Sequence, residues 1–508
     1  MNAVLMMAAW NEADTGRLIG LLSALIFIGN VWVLFHILKR PRDARSSLLW
    51  IFFVFTFPLI GLIAYVLFGI NTVPQKRWSK LYSDAVFRQH QDSEKGHSPL
   101  AEAYARREEE RIDRETTADP AFHRILDQIA PEHPLLGGNA IEPLAPADQA
   151  LEAIFAAIRE ARHHIHLTTY ILEDDYVGRR LLTGLCRQAK AGVQVRVLYD
   201  AFGSAHATLR GFFRRYRKIP NLELVPFSQS HFPKRQFQLN LRLHRKLLII
   251  DGTLAFTGGV NFHDIYLPAN GENRGAGVSD LHFMVRGPIV LDLQYTFLRD
   301  WFYMTDTPIE TISGAAFYPP ATPCGELPAR LVNSSPQLQL ASAATNLFFA
   351  LANRATRQLI LVTPYLVPSE ALLLALCQAA ARGVEVKILV PRKNNHPTIR
   401  IASQALYRPL LVAGVTIFER RPPFMHTKAA VMDDRISVIG SANLDPRSLD
   451  FNYESNLVIE SIPFAQRLKA LLADDFARAD AITYPEWRRR PKIRRLLENF
   501  FNLFHPIA

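Results

Sequence analysis

The sequence predicts an α/β fold that is built twice, as two α/β/α sandwich halves related by a pseudo-twofold axis and preceded by a transmembrane helical hairpin. Three observations support this prediction. The stretches that begin at His244 and His426 share one pattern, H-x-K-x-x-x-x-D followed by a small-residue turn and an asparagine, and each matched position is displaced by 182 residues. Strand patterns alternate with amphipathic helix patterns around both copies. Two long apolar stretches lie near the N-terminus.

The two apolar stretches, residues 18–38 and 48–70, are each long enough to cross a bilayer as a helix. An acidic segment, NEADTG, precedes the first stretch and the second follows at once, which disfavours a cleaved signal peptide. Basic residues crowd both the loop at 39–45 and the segment at 76–80, so the charge pattern leaves the orientation open. We predict a transmembrane hairpin within residues 1–72.

The rest of the chain divides by composition into a connector, two similar halves and a tail. Residues 73–135 are polar and charged, and we predict a connector with one charged helix and no core of its own. In the first half, HHIHLTTYIL and VQVRVLYDAFG are predicted strands around the helix RRLLTGLCRQAKAG; RQLILVTPYLV, EALLLALCQAAARG and VEVKILVP repeat this order. The predicted halves span residues 136–325 and 326–480, followed by a basic amphipathic tail, 481–508.

The net charge indicates which kind of partner suits the chain, and the cysteine content indicates which kinds of site it disfavours. The formal net charge of +11 suits an anionic partner, either a lipid headgroup or a nucleic acid. Three cysteines without C-x-x-C spacing make a disulfide framework or a zinc site improbable. In the tail, six basic residues stand beside leucines and phenylalanines, which favours an anionic bilayer surface. Packing of the tail on the body is the alternative.

The repeated polar residues indicate a phosphate site. His244 and Lys246 lie two apart in a predicted strand and therefore share a face, as do their counterparts His426 and Lys428. Packing the halves about a twofold axis brings both pairs into one cleft, and Asn261 and Asn443 in the following turns add amide donors. Such a cluster has many donors and almost no acceptors, so it suits a phosphate and needs no metal or other cofactor.

Two histidines at one phosphorus can take different roles, one as nucleophile and one as general acid. One imidazole attacks phosphorus to give a phosphohistidine, while the other protonates the leaving oxygen. Asp280 and Glu454 are candidates to orient the histidines, because they lie at comparable places after the two motifs. Asp251 and Asp433 fit a structural role, ending strands and accepting backbone N–H bonds, better than acid/base chemistry.

The doubled motif resembles the phospholipase D superfamily, and the flanking segments TTYILEDDYVG, GVQVRVLYDAFGS, TGGVNF and GSANLDPRSLDFNYE resemble bacterial cardiolipin synthases. The resemblance implies transfer of a phosphatidyl group between two phosphatidylglycerols, giving cardiolipin and glycerol, in the cell (inner) membrane. By position, His244 matches the nucleophile and His426 the general acid. The other matched motif residues are Lys246, Asp251, Lys428 and Asp433 in the catalytic set, and Lys246, Asn261, Lys428, Ser441 and Asn443 in the phosphate-binding set.

One position departs from the internal repeat, since Gly259 stands where the second copy has Ser441. If the serine hydroxyl binds phosphate, the first half lacks that group. Two other functions are compatible with the same motif: a hydrolytic phospholipase D that uses water as acceptor, and a membrane-tethered nuclease. The nuclease is disfavoured because aromatic residues do not interleave with a long basic groove, so no nucleic-acid partner is expected.

Overall fold

The computed structural model describes two compact units, residues 1–76 and 77–508, which are treated separately below. The residues whose structure is described are 12–39, 44–69, 80, 82–86, 89, 99–227, 241–269, 276–305, 307–312, 314–320, 322–335 and 342–503.

The N-terminal unit contains one uninterrupted apolar helix, α1 (Glu12–Leu38), of which residues 17–38 are long and apolar enough to cross a membrane. The second apolar stretch is divided into α2 (Ala44–Thr56), α3 (Pro58–Ala64) and a π-helical turn (Tyr65–Gly69). Pro58 begins α3 because proline lacks an N–H and tolerates the first helical turn. The predicted single helix over 48–70 is therefore wrong in its continuity.

The helices of the second unit are mostly short and alternate with strands. Their bounds are α4 (Pro99–Glu109), α5 (Pro120–Ile129), α6 (Ala147–Glu160), α7 (Tyr176–Lys190), α8 (Ala205–Leu209), α9 (Ile289–Thr305), α10 (Ala343–Arg354), α11 (Glu370–Ala381), α12 (Pro397–Ala405), α13 (Tyr407–Val412), α14 (Ile462–Ala477), α15 (Tyr484–Arg488) and α16 (Lys492–Leu503).

The strands of the described residues form one sheet. Their bounds are β1 (Leu136–Leu144), β2 (His164–Thr169), β3 (Gln194–Asp200), β4 (Leu222–Phe227), β5 (Leu247–Ile250), β6 (Leu254–Gly258), β7 (His282–Arg286), β8 (Leu327–Ser334), β9 (Gln358–Val362), β10 (Glu385–Pro391), β11 (Thr416–Arg420), β12 (Ala429–Met432), β13 (Ile436–Gly440), β14 (Glu454–Glu460) and β15 (Ala479–Ile482).

The strand order confirms the predicted duplication. From one edge it runs β15-β11-β10-β9-β12-β13-β14-β8-β1-β7-β6-β5-β2-β3-β4. Apart from β15, the two halves have the same order read outward from the centre, where β1 pairs antiparallel with β8. In each half the three outermost repeat strands are parallel and the inner ones antiparallel. The strand order therefore has the twofold symmetry that the repeated motif predicts.

Three apolar clusters cover the faces of this sheet. One belongs to the first half beneath α6 and α7, and one to the second half beneath α10 and α11. The third joins the halves through α9 and α14, which occupy equivalent places in the repeat. Helix α9 is buried along nearly its whole length, and Trp301 within it is fully buried. Because this shared core spans the β1–β8 junction, burial of apolar area holds the halves in one fixed arrangement.

The predicted connector is partly wrong, because its second part belongs to the core of the body. Among its described residues, α4, α5 and a helical segment at 82–86 lie within it instead of one helix. Phe122 and Leu126 of α5 are fully buried in the apolar cluster of the second half. Arg107 of α4 forms a buried ion pair with Asp292 of α9. The amphipathic pattern of α5 extends over only 10 residues and lies between charged segments, so it is not evident from the sequence alone.

The predicted tail also begins too early. Strand β15 pairs with β11 at the sheet edge, and Trp487 stacks on Tyr407 with ring centroids 4.8 Å apart. Residues up to about 490 therefore belong to the second half, and α16 alone forms the tail.

Candidate active site

Each H-x-K segment lies just before a strand and forms a β-bridge with the opposite half. Strands β5 and β12 begin one residue after each lysine, so the motif precedes the strand in which it was predicted. Leu243 forms a parallel bridge with Tyr453, and Met425 forms one with Ser279. In each bridge the next residue on one side is a motif histidine, and the next residue on the other side is a carboxylate. The bridges therefore bring each histidine beside an acid of the other half.

The histidines are held by carboxylates in a crossed arrangement. His244 Nδ1 lies 2.9 Å from Glu454 Oε2 of the second half. His426 Nδ1 lies 2.8 Å from Asp280 Oδ2 of the first half. Both carboxylates are buried, and a carboxylate at Nδ1 directs Nε2 of the same ring away from it. Each half thus supplies one histidine and orients the other.

The two lysines lie within the same buried cluster. Lys246 Nζ donates to the carbonyl of His244 at 2.8 Å. Lys428 Nζ donates to the carbonyl of His426, and it also lies 2.8 Å from Nδ1 of that ring and 3.8 Å from Asp280. Asp280 thus forms a long ion pair with Lys428, whereas Lys246 has no ion pair among the described residues and retains the larger capacity for an anion.

Burial lowers the pKa of every base in the cluster. The pKa of Lys246 falls to about 7, through burial and the nearby charge of Lys428, and the pKa of Lys428 falls to about 8, chiefly through burial. Burial followed by the charge of Lys428 lowers the pKa of His426 to about 3. The pKa of His244 is lowered by burial, against the opposing effect of Glu454. A bound phosphate opposes each of these shifts, because its negative charge favours the protonated bases.

The two orienting acids remain ionised despite their burial. Burial raises the pKa of Asp280, but Lys428 and His426 outweigh it and hold the pKa below its usual range. For Glu454 the charges of His244 and Lys246 have the same effect. Both histidines therefore face a full negative charge at Nδ1.

The two motif asparagines are both buried. Asn261 accepts a hydrogen bond from the amide of Ile171 and donates to Tyr266 Oη at 3.3 Å, and that hydroxyl lies 3.4 Å from His426 Nδ1. Asn261 is thus next to the cluster, through the hydroxyl of Tyr266. Asn443 is buried, and its Oδ1 has no hydrogen-bond partner among the described residues.

The difference between Gly259 and Ser441 has a structural reason. Ser441 was expected to bind phosphate, but its hydroxyl donates to Glu454 Oε2 at 2.5 Å and accepts from the amide of Ser455. A Cβ at Gly259 would overlap the carboxylate of Asp280. The second half therefore uses a hydroxyl to brace its longer acid, and the first half leaves space for its shorter one. Ser441 braces Glu454 in this structure, and its role in phosphate binding stays a prediction.

The aspartates of the two motifs lie at the far ends of their strands from the histidines. Asp251 accepts from the consecutive backbone amides of residues 162–164, and Asp433 accepts from those of residues 356–358. Both have positive φ, 52° and 54°, which aspartate tolerates better than most residues. Their place in the catalytic set is corrected accordingly, because each fixes the start of a neighbouring strand.

Two tyrosines lie against the histidines, one from each half. The ring of Tyr170 is 4.9 Å from that of His244, centroid to centroid, and Tyr365 is 6.3 Å from His426. Neither tyrosine is among the site residues predicted from the sequence. The signal was present, since T-T-Y after β2 and T-P-Y after β9 place a tyrosine at the same point of each half.

The remaining histidines of β2 lie in the core and not at this cluster. His164 and His166 are fully buried and contact Gln294 of α9. Among the described residues, no group of three or more His, Cys, Asp or Glu side chains is arranged to hold a metal ion.

Comparison with known proteins agrees with the geometry. The family model described as "Cardiolipin synthase, PLD-like domain" matches residues 154–283 and 348–476, and "Phospholipase_D-nuclease N-terminal" matches residues 28–69. A cardiolipin synthase of Geobacillus kaustophilus is 32% identical over 99% of this chain and 97% of its own length. Cardiolipin synthase A of Pseudomonas putida is 32% identical over 96% of this chain and 98% of its own.

A solved structure supports the fold alone. Phosphatidylserine synthase of Haemophilus influenzae superposes with a TM-score of 0.59 at 16% identity, covering 76% of this chain and 100% of that one. Two matched domains carry the crossed histidine pairs, and the relatives align over almost the whole chain. The protein therefore belongs to the cardiolipin synthase family, whose members are membrane phosphatidyltransferases of the phospholipase D superfamily.

Proposed function

We propose that the protein transfers the phosphatidyl group of one phosphatidylglycerol to the glycerol hydroxyl of a second, giving cardiolipin and free glycerol. The observation that carries this proposal is the pair of buried histidines, each held at Nδ1 by a carboxylate of the other half, beside the two buried lysines Lys246 and Lys428. The named relatives are cardiolipin synthases, which supports cardiolipin as the product; phosphatidylglycerol as the substrate is what the family resemblance implies.

The first step forms a covalent intermediate. Nε2 of His244 attacks the donor phosphorus, an N–P bond forms, and the P–O bond to the glycerol headgroup breaks. His426, protonated once the negative charge of the bound phosphate has raised its pKa, delivers a proton to the departing glycerol oxygen. Lys246 and Lys428 neutralise the charge on the non-bridging oxygens, as preorganised donors do in phosphoryl transfer. The assignment of His244 as nucleophile rests on the resemblance, because the two halves are nearly symmetric.

The second step reverses the roles. The glycerol hydroxyl of a second phosphatidylglycerol attacks phosphorus, and neutral His426 accepts its proton. The N–P bond breaks, and His244 is regenerated as a free imidazole. Protons and charges balance over the two steps without an external acid.

The activity is tested with purified protein and phosphatidylglycerol carrying labelled acyl chains. We expect labelled cardiolipin and free glycerol, without added nucleotide and with EDTA present. Labelled phosphatidic acid as the sole product would indicate a hydrolytic phospholipase D instead. Loss of activity with EDTA and its return with one particular metal would contradict the proposed chemistry.

The roles of the histidines are tested with a donor whose leaving group needs no acid, such as a p-nitrophenyl phosphatidyl ester. We expect His426→Ala to form a covalent adduct on His244 from this donor, while its turnover of phosphatidylglycerol falls by about 10²-fold or more. His244→Ala should form no adduct. Label mapped to His426 in the His244→Ala protein would reverse the assignment.

We also propose that α16 rests on an anionic lipid surface. Ile493, Leu496, Leu497 and Phe500 are exposed and share one helix face. Glu498 on the opposite face is buried, and it pairs with arginines of residues 490 and 494. A helix that points its apolar side outward and its acid inward has the polarity of an interfacial helix, and its exposed basic residues suit anionic headgroups.

In the N-terminal unit we propose that residues 18–38 and 48–70 both cross the cell (inner) membrane. The support is their length and composition, with the break at Pro58 tolerated as in other membrane helices. Two crossings put the residues before 17 and after 76 on the same side. Accessibility labelling of single cysteines placed at both ends tests this, and labelling from opposite sides would contradict it.

A further inference from the structure

Two arginines beside the active site depart from the internal repeat. Displacement by 182 residues relates Arg242 to Phe424, and it relates Ile265 to Arg447. Each arginine therefore stands where the other half has an apolar residue. The histidines, lysines and asparagines obey the twofold symmetry, but these two cations do not.

Both arginines are fixed to the same short segment of backbone. The amide of Asn452 donates to the carbonyl of Arg447 at 2.7 Å, and the next amide, that of Tyr453, donates to the carbonyl of Arg242 at 2.9 Å. The residue after Tyr453 is Glu454, which holds His244. The two arginines thus lie on the same side of the pseudo-twofold axis, the side that carries His244.

The side chain of Arg242 shares a face with the nucleophile. Leu243 is in a β-bridge and is buried in the core, so the residues on either side of it, Arg242 and His244, point the opposite way. Along an extended backbone they are about 6–7 Å apart. The side chains of Arg242 and His244 are therefore neighbours on the same face of the chain.

Arg242 is buried, and among the described residues its side chain makes one hydrogen bond, from Nη1 to the carbonyl of Leu241 at 3.4 Å. Its side chain is 7% exposed, its Nε has no hydrogen-bond partner among the described residues, and its guanidinium lies over the ring of Phe202 at 4.1 Å. The neighbouring acid, Asp200, already accepts three backbone amides, from Phe202, Gly203 and Leu243.

Both arginines act electrostatically on the hydroxyl of Tyr170, whose ring lies beside His244. Burial raises the pKa of Tyr170 to about 12, and both Arg242 and Arg447 act in the opposite direction on the same hydroxyl. Burial lowers the pKa of Arg242; the charge of Asp200 opposes this shift, and the charge of Arg447 adds to it. Two buried or half-buried cations that repel each other are stabilised when an anion binds between them.

We propose that Arg242 and Arg447 form a second anion site, next to the catalytic cluster, that binds the phosphodiester of the acceptor phosphatidylglycerol. This inference rests on the proposed function and deepens it. The donor phosphate occupies the cluster of histidines and lysines, and the acceptor carries its own phosphate, which becomes the second phosphate of cardiolipin. One glycerol bridges the two phosphates of that product, so the two anion sites have to be neighbours on the same face. A neutral acceptor such as water or free glycerol has no use for the second site.

The test compares two reactions of the same covalent intermediate. Exchange of labelled free glycerol into phosphatidylglycerol requires the donor site and both histidines, but its acceptor is neutral. Cardiolipin formation requires in addition an anionic acceptor. For Arg242→Gln and Arg447→Gln we expect cardiolipin formation relative to glycerol exchange to fall ~10- to 100-fold, as for loss of a charge-assisted contact. Arg242→Lys should recover part of the ratio, because it keeps the charge.

Controls separate this inference from simpler explanations. Arg187→Gln, at an exposed position on α7, should leave both reactions unchanged. Glycerol exchange at the wild-type rate shows that a variant is folded with an intact catalytic cluster. Equal loss of both reactions in the Arg242 and Arg447 variants would overturn the inference, since the arginines would then serve the donor or the fold. An unchanged ratio would overturn it as well. Wild-type protein that exchanges glycerol but makes no cardiolipin would contradict the proposed function itself, and the acceptor site with it.

Discussion

Lys246 and Lys428 determine how the site responds to pH. With pKa values lowered to about 7 and about 8 in the empty site, both begin to lose their protons near neutral pH. The deprotonated lysines bind phosphate less well, whereas bound phosphate raises their pKa values and keeps them charged. The free enzyme and the substrate complex therefore titrate differently.

We predict that kcat/KM for phosphatidylglycerol falls as the pH rises from about 7 to 9, and that kcat falls only at higher pH. The reason is that kcat/KM reports the free enzyme and kcat the complex. Lys246→Arg should move the fall of kcat/KM to higher pH, because a guanidinium stays protonated. Steady-state kinetics across this pH range test the prediction. A fall of kcat/KM and of kcat at the same pH would contradict it.

The crossed carboxylates give a second test at the scale of single residues. Glu454→Gln and Asp280→Asn remove the charge that orients and supports each histidine, and we expect kcat to fall at least ~10- to 100-fold. Glu460→Gln is a matched control, because Glu460 also holds a buried histidine, His123, at 2.8 Å, but in a different part of the body. Its expected effect is on thermal stability. Equal kinetic effects of the control and the site variants would show that the crossing has no special role.

Variants of the motif aspartates, unlike those of the orienting carboxylates, should lose stability and keep their activity. We predict that Asp433→Asn lowers the free energy of unfolding by about 1–3 kcal/mol, because its carboxylate accepts three consecutive backbone amides. Asparagine also tolerates the positive φ of this position. Activity per folded molecule should stay near that of the wild type, which denaturant unfolding and single-turnover assays measure together. A large loss of activity at unchanged stability would restore Asp433 to the catalytic set.

At the scale of elements, α16 has its polarity reversed relative to an ordinary surface helix. We predict that Leu496→Gln with Phe500→Gln weakens binding of residues 77–508 to phosphatidylglycerol vesicles by at least ~10-fold, because two apolar side chains no longer enter the interface. Leu209→Gln is a matched control, since Leu209 is more exposed but belongs to α8. Vesicle flotation measures the binding. Unchanged binding of the double variant would indicate that α16 has another partner.

At the scale of the whole molecule, the chain divides into units that differ in their cores. The body is compact from residue 77, and its shared cluster joins both halves through α9 and α14. We predict that a protein lacking residues 1–76 folds cooperatively and makes cardiolipin from detergent-dispersed phosphatidylglycerol, but works poorly on bilayers. Circular dichroism and the lipid assay test this. A molten body would show that the N-terminal unit is required for folding.

Much of the site was predictable from residues alone because the chain is duplicated. The repeat of His244, Lys246 and Asn261 at one displacement predicted a shared cleft, and Asp280 and Glu454 were found as candidates from their places after the motifs. Tyr170 and Arg242 were missed. Tyr170 needed the T-x-Y repeat, and Arg242 breaks the repeat, so a search for symmetry passes over it.

The sequence by itself determined the duplication, the α/β class and the residue types of the site, because these follow from local periodicity and from one repeated spacing. Only the tertiary structure decided that Glu454 serves His244 and that Asp280 serves His426. Both carboxylates follow their motifs at similar distances along the chain, so spacing cannot choose between partners in the same half and partners across the axis. The parallel bridges between the halves make that choice, and they depend on contacts between residues far apart in sequence. The same is true of α16, whose composition is amphipathic in either orientation; its packing against the body decides which face is exposed.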